Sequence, residues 1–504
     1  MIFPEYKKLD LSKIDKETLS YWEEYNIFNK SVSNADGNPP YIFYEGPPSA
    51  NGLPGIHHVL ARTIKDIFLR YKTMKGYQVK RKAGWDTHGL PVELGVENTL
   101  GISKEDIGNK VSIEEYNLAC KKAVMKYTDI WNDLTIKMGY WVDMEDPYIT
   151  YTAKYMESVW WLLNQVYNKD LMYKGYTVQP YSPKAGTAIS SHELNQPGTY
   201  QDVTDTSVTA QFKIINDSLP ESLRTSDELY LLAWTTTPWT LPSNTALTIG
   251  SKIEYVAIKT YNQYTYNPIQ VVLANDLIDK IFSGTFFEVN SEEELSEFDT
   301  KSEKIPFYII NKFLGKELLD IRYEQLLKYA LPANNPENAF RVIHGDFVTT
   351  DEGTGIVHTA PTFGADDMLV AKQAKPEIPP MLVKDNNGDL VPLVDLQGRF
   401  RPEMNELSGK YVKNEYYSSD KIPEKSVDVE IAIALKEANR AFKVEKYKHS
   451  YPNCWRTDKP ILYYPIDSWF IKTSTISDLM VELNTKINWK PKSTGEGRFA
   501  KWLE

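Results

Sequence analysis

Residues 41–58 read Tyr-Ile-Phe-Tyr-Glu-Gly-Pro-Pro-Ser-Ala-Asn-Gly-Leu-Pro-Gly-Ile-His-His, and this stretch predicts a strand, a tight turn and the start of a helix. The apolar run 41–44 is the strand, and apolar residues recur at helical spacing from the histidines up to Tyr71. A helix N-terminus presents unpaired N–H groups and the positive end of the helix dipole, so it is a natural place for a phosphate group. His57 and His58 stand in the first turn, where their imidazoles add donors for charge that grows on a phosphate in a transition state.

A second block, residues 84–93, reads Gly-Trp-Asp-Thr-His-Gly-Leu-Pro-Val-Glu and follows the strand-like segment 77–82. It supplies an acidic side chain, Asp86, and a further histidine, His88, just after a strand. In doubly wound α/β folds the carboxyl ends of the strands meet at one edge of the sheet, and ligands bind there. Three of the seven histidines fall between His57 and His88, a clustering that packing alone does not explain.

Both blocks resemble the nucleotide-binding half of the class I aminoacyl-tRNA synthetases. The phrases Gly-Pro-Pro-x-Ala-Asn-Gly-Leu-Pro and Gly-Trp-Asp-x-His-Gly-Leu-Pro-Val-Glu are typical of the isoleucyl-tRNA synthetase family. The resemblance implies a Rossmann-like parallel-sheet domain whose substrates are isoleucine, ATP with Mg²⁺, and tRNA(Ile). It implies that His57 and His58 are catalytic and that Asp86 binds the substrate ammonium. The isoleucine and ATP site that it implies consists of Glu45, Gly46, Pro47, Pro48, Asp86 and His88, with Pro47 lining the side-chain pocket.

The chain departs from the family at residues 55–58. The family pattern there is usually His-x-Gly-His, whereas this chain has Gly-Ile-His-His. His58 is retained, and the first and third residues of the motif have exchanged places. Two interpretations stay open: His57 takes part in catalysis from a different angle, or it only caps or packs and the role of the first histidine is lost.

From about residue 198 the pattern changes to short alternating runs separated by turn-rich stretches, which predicts a β-rich inserted domain. We expect strands at 207–214, 229–233, 255–259, 269–273 and 307–310, and a later strand at 461–465. The predicted organisation is a first half of the catalytic domain at 1–197, the inserted domain at 198–415 and a return to the catalytic domain at 416–504. In the helical segment 153–171, the pair Trp160-Trp161 is predicted to be core.

Two blocks in the insertion point to a second chemistry. Residues 234–244 read Trp-Thr-Thr-Thr-Pro-Trp-Thr-Leu-Pro-Ser-Asn, and residues 351–361 read Asp-Glu-Gly-Thr-Gly-Ile-Val-His-Thr-Ala-Pro. Alone, threonines on a strand are ordinary β-propensity and the glycines are ordinary turns. Both blocks, however, resemble the editing domain of isoleucyl-tRNA synthetases, which hydrolyses mischarged valyl-tRNA.

The resemblance assigns roles to residues of these blocks and to Asp367, which follows the second block in the segment 364–367. It implies that the hydroxyls of Thr235, Thr236 and Thr237 hold the ester end of the tRNA and a water. Asp367 would bind the α-ammonium of the wrong amino acid. His358 would orient the water or the terminal ribose. A second site is coherent physically, because one methylene in a hydrophobic pocket gives only about 1–3 kcal/mol of discrimination.

Composition is that of a large globular protein, and its net charge of -11 excludes a global basic field for nucleic acid. With no signal-peptide pattern or apolar stretch of membrane-spanning length, and only two cysteines, we expect a cytoplasmic protein, and we expect a monomer. Ser182 and Ala185 stand where the family often has the cysteines of a Cys-Pro-x-Cys motif, and Cys454 has no second cysteine beside it. A closed zinc site needs about four nitrogen or sulfur ligands, so no zinc is expected.

No Lys-Met-Ser-Lys-Ser phrase occurs in the 504 residues. In the family this loop steadies the ATP phosphates, so we expect the chain to be an N-terminal portion of a longer synthetase. Two alternatives remain: a free-standing editing hydrolase, and a noncatalytic RNA-binding or regulatory paralogue.

Overall fold

A computed structural model describes residues 8–46, 48–215, 219, 223 and 228–504. Pro47, which the resemblance places in the side-chain pocket, lies outside the described residues. The chain folds into two compact units. The first unit contains the described residues up to Tyr173 together with Ile471–Glu504, and the second contains Lys174–Phe470.

The first unit is an α/β unit on a parallel sheet whose strand order is β1-β2-β3. Its elements are α1 (Leu11–Glu24), α2 (Ile27–Ser33), β1 (Pro40–Tyr44), α3 (Ile56–Met74), β2 (Gln78–Trp85), α4 (Leu90–Leu100), α5 (Ile113–Val124), α6 (Thr128–Lys137), β3 (Asp143–Ile149) and α7 (Ala153–Tyr167). The predicted order of strand, turn and helix at 41–58 is confirmed by β1 and α3, which with β2 form a parallel crossover unit.

Apolar faces of the first unit lie open. Helix α3 buries Leu69, whereas Leu60, Ile64, Ile67, Phe68 and Tyr71, the residues that reveal its helical period, are exposed. On α7, Trp160 and Trp161 are 64% and 61% exposed, so the prediction that this pair is core is wrong. A hydrophobic period identifies a helix with an apolar face, but it does not say what covers that face.

The second unit is built on an eleven-stranded mixed sheet. The strands of the second unit are β4 (Met172–Ser182), β5 (Thr187–Ala188), β6 (Tyr200–Lys213), β7 (Leu229–Thr235), β8 (Ala246–Ile249), β9 (Glu254–Tyr261), β10 (Pro268–Ala274), β11 (Phe286–Glu288), β12 (Ile305–Leu314), β13 (Arg341–His344), β14 (Ile356–Thr359), β15 (Leu382–Lys384), β16 (Leu390–Pro392), β17 (Ala441–Cys454), β18 (Lys459–Pro460) and β19 (Leu462–Ile471). The boundaries between the two units fall within β4 and β19. Its helices are α8 (Ser191–Leu194), α9 (Ile278–Ile281), α10 (Glu292–Ser296), α11 (Ala365–Gln373) and α12 (Val427–Glu437). The last helices of the chain, α13 (Ser477–Asn484) and α14 (Ala500–Leu503), belong to the first unit.

The predicted fold class is confirmed: a parallel-sheet α/β unit is interrupted by a β-rich unit. The main path of the large sheet is β11-β12-β9-β10-β7-β14-β8-β13, and β6 pairs with both β7 and β17. All six predicted strand segments fall on observed strands, in order β6, β7, β9, β10, β12 and β19. Their apolar residues form the main core, which includes the fully buried Phe212, Leu231 and Val271.

The second unit is wider than the predicted insertion at 198–415. Strand β17 lies antiparallel to β6 over a register that runs from Ala441 opposite Ala210 to Pro452 opposite Tyr200. The segment 416–470, which the sequence assigned to the catalytic domain, therefore packs with the β-rich unit. Alternation of apolar residues identifies a strand but not the strand it pairs with. Domain limits depend on that pairing, so the limits of the inserted domain stay a prediction.

The segment compared with a zinc motif forms a turn in which Ser182 and Ala185 are buried. The N–H of Ala185 donates to Oγ of Ser182 at 3.2 Å, and the N–H of Gly186 donates to the Ser182 carbonyl at 2.8 Å. Cys454 is buried as a free thiol. Within the described ranges no group of three or more His, Cys, Asp or Glu side chains is placed to hold a metal ion. Within those ranges there is also no helix with the length and apolar character that a membrane span requires.

Candidate functional site

One cavity in the second unit brings together the five residues predicted to edit. Its volume is about 350 Å³. Its walls come from the segments 234–240 and 347–367. The lining includes Thr235, Thr236, Thr237, His358 and Asp367. Residues more than a hundred positions apart in the sequence thus face one space large enough for a small ligand.

The threonines lie where strand β7 ends and a short 3₁₀ helix, Pro238–Ser243, begins. The N–H of Thr237 donates to Oγ1 of Thr235 at 3.1 Å, and the two hydroxyl oxygens are 3.3 Å apart. Oγ1 of Thr240 donates to the Thr237 carbonyl at 2.8 Å. Pro238 suits the first helical position, because its fixed φ matches the helix and no N–H is needed there. These bonds hold Thr235, Thr237 and Thr240 in one turn at the cavity wall.

His358, on β14, is held by hydrogen bonds at both ring nitrogens. The Tyr323 hydroxyl donates to Oδ1 of Asn244 at 2.7 Å, so the Asn244 amide nitrogen faces Nδ1 of His358, 2.8 Å away. Nδ1 therefore accepts, and Nε2–H donates to Oγ1 of Thr240 at 3.1 Å. Burial lowers the pKa of His358 to about 3, so the ring is neutral at physiological pH.

Asp367 stands in the first turn of α11. Its Oδ2 accepts the N–H of Ala360 at 2.8 Å. A Cβ atom at Gly364 would lie 2.6 Å from Cγ of Asp367, so the glycine makes room for the carboxyl group. Burial raises the pKa of Asp367 to about 6; the nearby charge of Asp366 adds to this shift and the bond from Ala360 opposes it. The carboxyl group is thus poised to lose its proton just below neutral pH.

The glycines of residues 351–361 also line the cavity. Gly353 and Gly355 both have φ of +73°, which disfavours any residue with a Cβ atom. The Gly355 carbonyl accepts the Tyr255 hydroxyl at 2.6 Å, and Gly353 packs against the ring of Trp234. What looked like ordinary turn glycines are therefore part of the cavity.

In the first unit, His57 and His58 form a pair at the start of α3. The N–H of Gly55 donates to Nδ1 of His58 at 2.9 Å, so the neutral ring carries its proton on Nε2 and presents a donor there. Burial, followed by the charges of His57 and Arg62, lowers the pKa of His58. The two ring centroids are 3.8 Å apart.

Gly55 makes room for the ring of His57. A Cβ atom at position 55 would lie 2.8 Å from Cε1 of His57, closer than real side chains approach. The imidazole of His57 therefore lies beside the position that carries the first histidine in the family pattern. The exchange of residues 55 and 57 keeps two imidazoles at the start of the helix.

Glu45, which the resemblance places in the substrate wall, lines a second cavity, of about 310 Å³, within the first unit. It is buried, paired with Nζ of Lys65 at 2.5 Å, and it accepts the Tyr140 hydroxyl. Its carbonyl accepts the hydroxyl of Tyr148, whose ring packs directly on Gly84. A charged group buried this way needs such partners, and here they anchor the turn after β1. Gly46, beside it, is exposed.

Asp86 and His88 lie just after β2, next to the turn. The N–H of Asp86 donates to the Pro48 carbonyl at 3.0 Å, which joins the segments after β1 and β2. Nδ1 of His88 is 3.7 Å from Oδ1 of Asp86 and 2.9 Å from Oγ1 of Thr150. Oδ1 of Asp86 is buried without a hydrogen-bond partner among the described residues. A buried carboxylate oxygen of this kind is rare, and a cationic ligand would satisfy it.

Comparisons with known proteins assign the chain to a family. The profile of the family described as tRNA synthetases class I (I, L, M and V) matches residues 17–504. The chain belongs to this family. It is 58% identical to the isoleucine–tRNA ligase of Cytophaga hutchinsonii, over 99% of this chain and 44% of that protein. It is 56% identical to the isoleucine–tRNA ligase of Bacteroides fragilis, over 100% of this chain and 44% of that protein.

The chain thus spans somewhat under half the length of these relatives. Among solved structures, it matches the ternary complex of Agrobacterium radiobacter K84 agnB2 LeuRS-tRNA-LeuAMS at 15% identity, over 89% of this chain and 48% of that one. The TM-score is 0.29, so this likeness adds nothing to the assignment.

In this class I synthetase chain, the sequence analysis missed the residues that support the predicted ones. Thr240 and Asn244 lie inside the quoted block 234–244, and their polar side chains were a signal that could have found them. Tyr323, Tyr140 and Tyr148 had no such signal, because a tyrosine distant in sequence looks like any other core aromatic residue.

Proposed function

We propose that this class I synthetase chain is part of an isoleucine–tRNA ligase that also hydrolyses valyl-tRNA(Ile). The observation that carries the proposal is the single cavity lined by Thr235, His358 and Asp367, in a unit distinct from that of His57 and His58. A synthetase that must distinguish isoleucine from valine needs a second, hydrolytic site, because one methylene gives only about 1–3 kcal/mol of discrimination at a single site. The relatives named as isoleucine–tRNA ligases support the same amino acid.

In the synthetic reaction, a carboxylate oxygen of isoleucine attacks the α-phosphorus of ATP and pyrophosphate leaves. The first N–H groups of α3 and Nε2–H of His58 stabilise the negative charge that builds on the phosphate oxygens. His57, beside His58, contributes a second imidazole. Asp86 pairs with the isoleucine ammonium through its unpartnered oxygen. Mg²⁺ arrives with ATP as part of the substrate.

In editing, a water attacks the ester carbonyl that joins valine to the tRNA, and the ribose hydroxyl leaves with a proton. Asp367 holds the valine ammonium, and the hydroxyls of the Thr235–Thr237 turn hold the ester end. His358 has both nitrogens bonded to the protein, so it acts by fixing Thr240 and the turn. Isoleucine is rejected because the cavity must hold one more methylene.

The proposal is tested by measuring deacylation of valyl-tRNA(Ile) and isoleucyl-tRNA(Ile) by the chain. We expect valyl-tRNA(Ile) to be hydrolysed well above its spontaneous rate and isoleucyl-tRNA(Ile) to be spared. If the chain left both aminoacyl-tRNAs to hydrolyse at their spontaneous rates, the editing assignment would be wrong and a noncatalytic paralogue would be favoured. Isothermal titration with isoleucine tests the proposed synthetic site separately. Absence of isoleucine binding would contradict the proposed synthetic activity.

A further inference from the structure

A buried carboxyl group outside the cavity holds the segment that carries the threonines. Asp428 lies in the first turn of α12, and it is 4% exposed. Its Oδ1 accepts the backbone N–H of Trp239 at 2.9 Å. Trp239 is the second residue of the 3₁₀ helix Pro238–Ser243, and Pro238 before it has no N–H. Asp428 therefore binds the first free donor of that helix, as an N-terminal cap does, but from 189 residues away.

Burial raises the pKa of Asp428 to about 7, and the nearby charge of Lys413 opposes this shift. Lys413 is buried, and its Nζ donates to Oδ2 of Asp205 at 2.8 Å. Nε2 of His449 is 3.2 Å from the same carboxylate oxygen, and the ring of Tyr451 lies 4.5 Å from Nζ of Lys413. A buried ion pair or network of this kind adds little net stability, but it strongly favours one arrangement of its members over a broken one.

The hydrogen bond between Asp428 and Trp239 is connected to the cavity through neighbouring residues of the 3₁₀ helix. Thr237 immediately precedes the 3₁₀ helix, and Thr240 lies within it. Thr240 is bonded both to the Thr237 carbonyl and to Nε2 of His358. Asp428 itself does not line the cavity. A shift of the helix start would therefore move both hydroxyls without touching the ligand.

We propose that Asp428 is a positioning residue of the editing cavity, which sets the threonine turn for hydrolysis by holding the Trp239 N–H. This inference rests on the proposed editing function. The carboxyl group contributes as a hydrogen-bond acceptor at a fixed place. The neutral amide of asparagine has an acceptor oxygen at the same distance from the backbone, so it is the conservative replacement.

The test compares three variants of the chain in single-turnover deacylation of valyl-tRNA(Ile). Asp428→Ala removes the acceptor, and Asp428→Asn keeps one. Glu430→Ala is the matched control: Glu430 lies in the same turn of α12 and pairs with Lys410 at 2.6 Å, away from the 3₁₀ helix. Each variant is titrated over enzyme concentration, which separates the maximal rate from the half-saturating concentration.

We expect Asp428→Ala to lower the maximal rate about tenfold, because the buried N–H of Trp239 is left without an acceptor. The half-saturating concentration should stay close to that of the parent, because the cavity lining is unchanged. Asp428→Asn should recover most of the rate, and Glu430→Ala should match the parent. A parent-like rate in Asp428→Ala, or equal losses in Asp428→Ala and Asp428→Asn, overturns the inference while the proposed function stands. A parent chain that does not hydrolyse valyl-tRNA(Ile) overturns both.

A second measurement does not depend on activity or on the stability of the alanine variant. Hydrogen–deuterium exchange of the peptide that covers residues 236–243 is measured in the parent, in Asp428→Asn and in Glu430→Ala. It is measured in Asp428→Ala as well if that variant folds. We expect faster exchange of this peptide in Asp428→Ala, and parent-like exchange in the other two. If Asp428→Ala does not fold, Asp428→Glu replaces it; the longer side chain displaces the acceptor, so faster exchange is again expected. Unchanged exchange in the displaced variant overturns the inference.

Discussion

The two units hold their predicted residues in different ways. In the second unit, His358 and Asp367 lie in a cavity that residues of that unit close by themselves, and burial shifts the pKa of both. In the first unit, the side chains of Asp86 and His88 are 45% and 70% exposed at the edge of a three-stranded sheet. The difference teaches that the proposed hydrolytic site is preorganised by its fold, whereas Asp86 and His88 of the proposed synthetic site are open to solvent. Single substitutions should therefore have larger effects in the second unit than in the first.

The largest expected effect is on Asp367. Asp367→Ala removes the partner of the α-ammonium, and it should lower deacylation of valyl-tRNA(Ile) by about 10- to 100-fold, the range for a bond to a charged group. Asp366→Ala is the control, because Asp366 is exposed and adjacent. Rates are measured in single turnover. Similar losses in the two variants would show that a general change of charge, not the ammonium contact, is responsible.

The pKa of Asp367, about 6, predicts the pH dependence of deacylation. Below pH 6 the carboxyl group is protonated and cannot pair with the ammonium, so the rate should fall about tenfold per pH unit. The rate should level off above pH 6 until the ammonium itself loses its proton. A profile from pH 4.5 to 7.5 checks this, and Asp367→Asn should abolish the step at pH 6. A parent profile without that step would contradict the assigned role.

His358 predicts a pH-dependent contribution to stability. Its pKa is about 3 in the folded chain, whereas an unfolded histidine titrates near 6.5, so between these values the unfolded chain binds more protons. The stability that neutral His358 supplies is thus complete above pH 6.5 and is lost as the pH falls. At pH 5 the loss is about 2 kcal/mol.

Urea unfolding of the parent and of His358→Gln, at pH 7.5 and pH 5, measures this contribution. The parent should lose more free energy of unfolding than the variant between the two pH values. An equal loss in both proteins would show that His358 takes up a proton in the folded chain.

The smallest expected effect is on Asp86. Asp86→Asn should weaken isoleucine binding by about fivefold, less than for a buried pair, because solvent screens a half-exposed carboxylate. His88→Gln, beside it, is the control and should change the affinity less. Isothermal titration measures both. If Asp86→Asn lowered the isoleucine affinity by as large a factor as Asp367→Ala lowers the deacylation rate, the two units would not differ in the way described above.

Much of the fold was predictable because the decisive signals are local. The turn at 45–58 and the alternation of β6, β7 and β10 are properties of short segments. The exposed pair Trp160-Trp161 and the pairing of β17 with β6 were not predictable, since both depend on what lies beside a segment in space. Periodicity marks an apolar face without naming its neighbour.

The site follows the same rule. The cavity residues were predicted because the blocks 234–244 and 351–361, with Asp367 just after the second, resemble the family's editing domain. The partners of Glu45, which are Lys65 and Tyr140, were missed, since they are distant from it in sequence. Asp428 was missed because a lone acidic residue in the first turn of a helix is an ordinary helix signal.

The most direct test of the central claim is to disable each unit in turn and measure hydrolysis of valyl-tRNA(Ile). The double variant His57→Ala, His58→Ala changes only the first unit, and Asp367→Ala changes only the second. We predict that the double variant keeps the parent rate within about twofold, since sites without shared partners act independently. Asp367→Ala should lose most of the rate. Equal losses in the two variants would contradict the claim that the second unit holds a self-contained hydrolytic site.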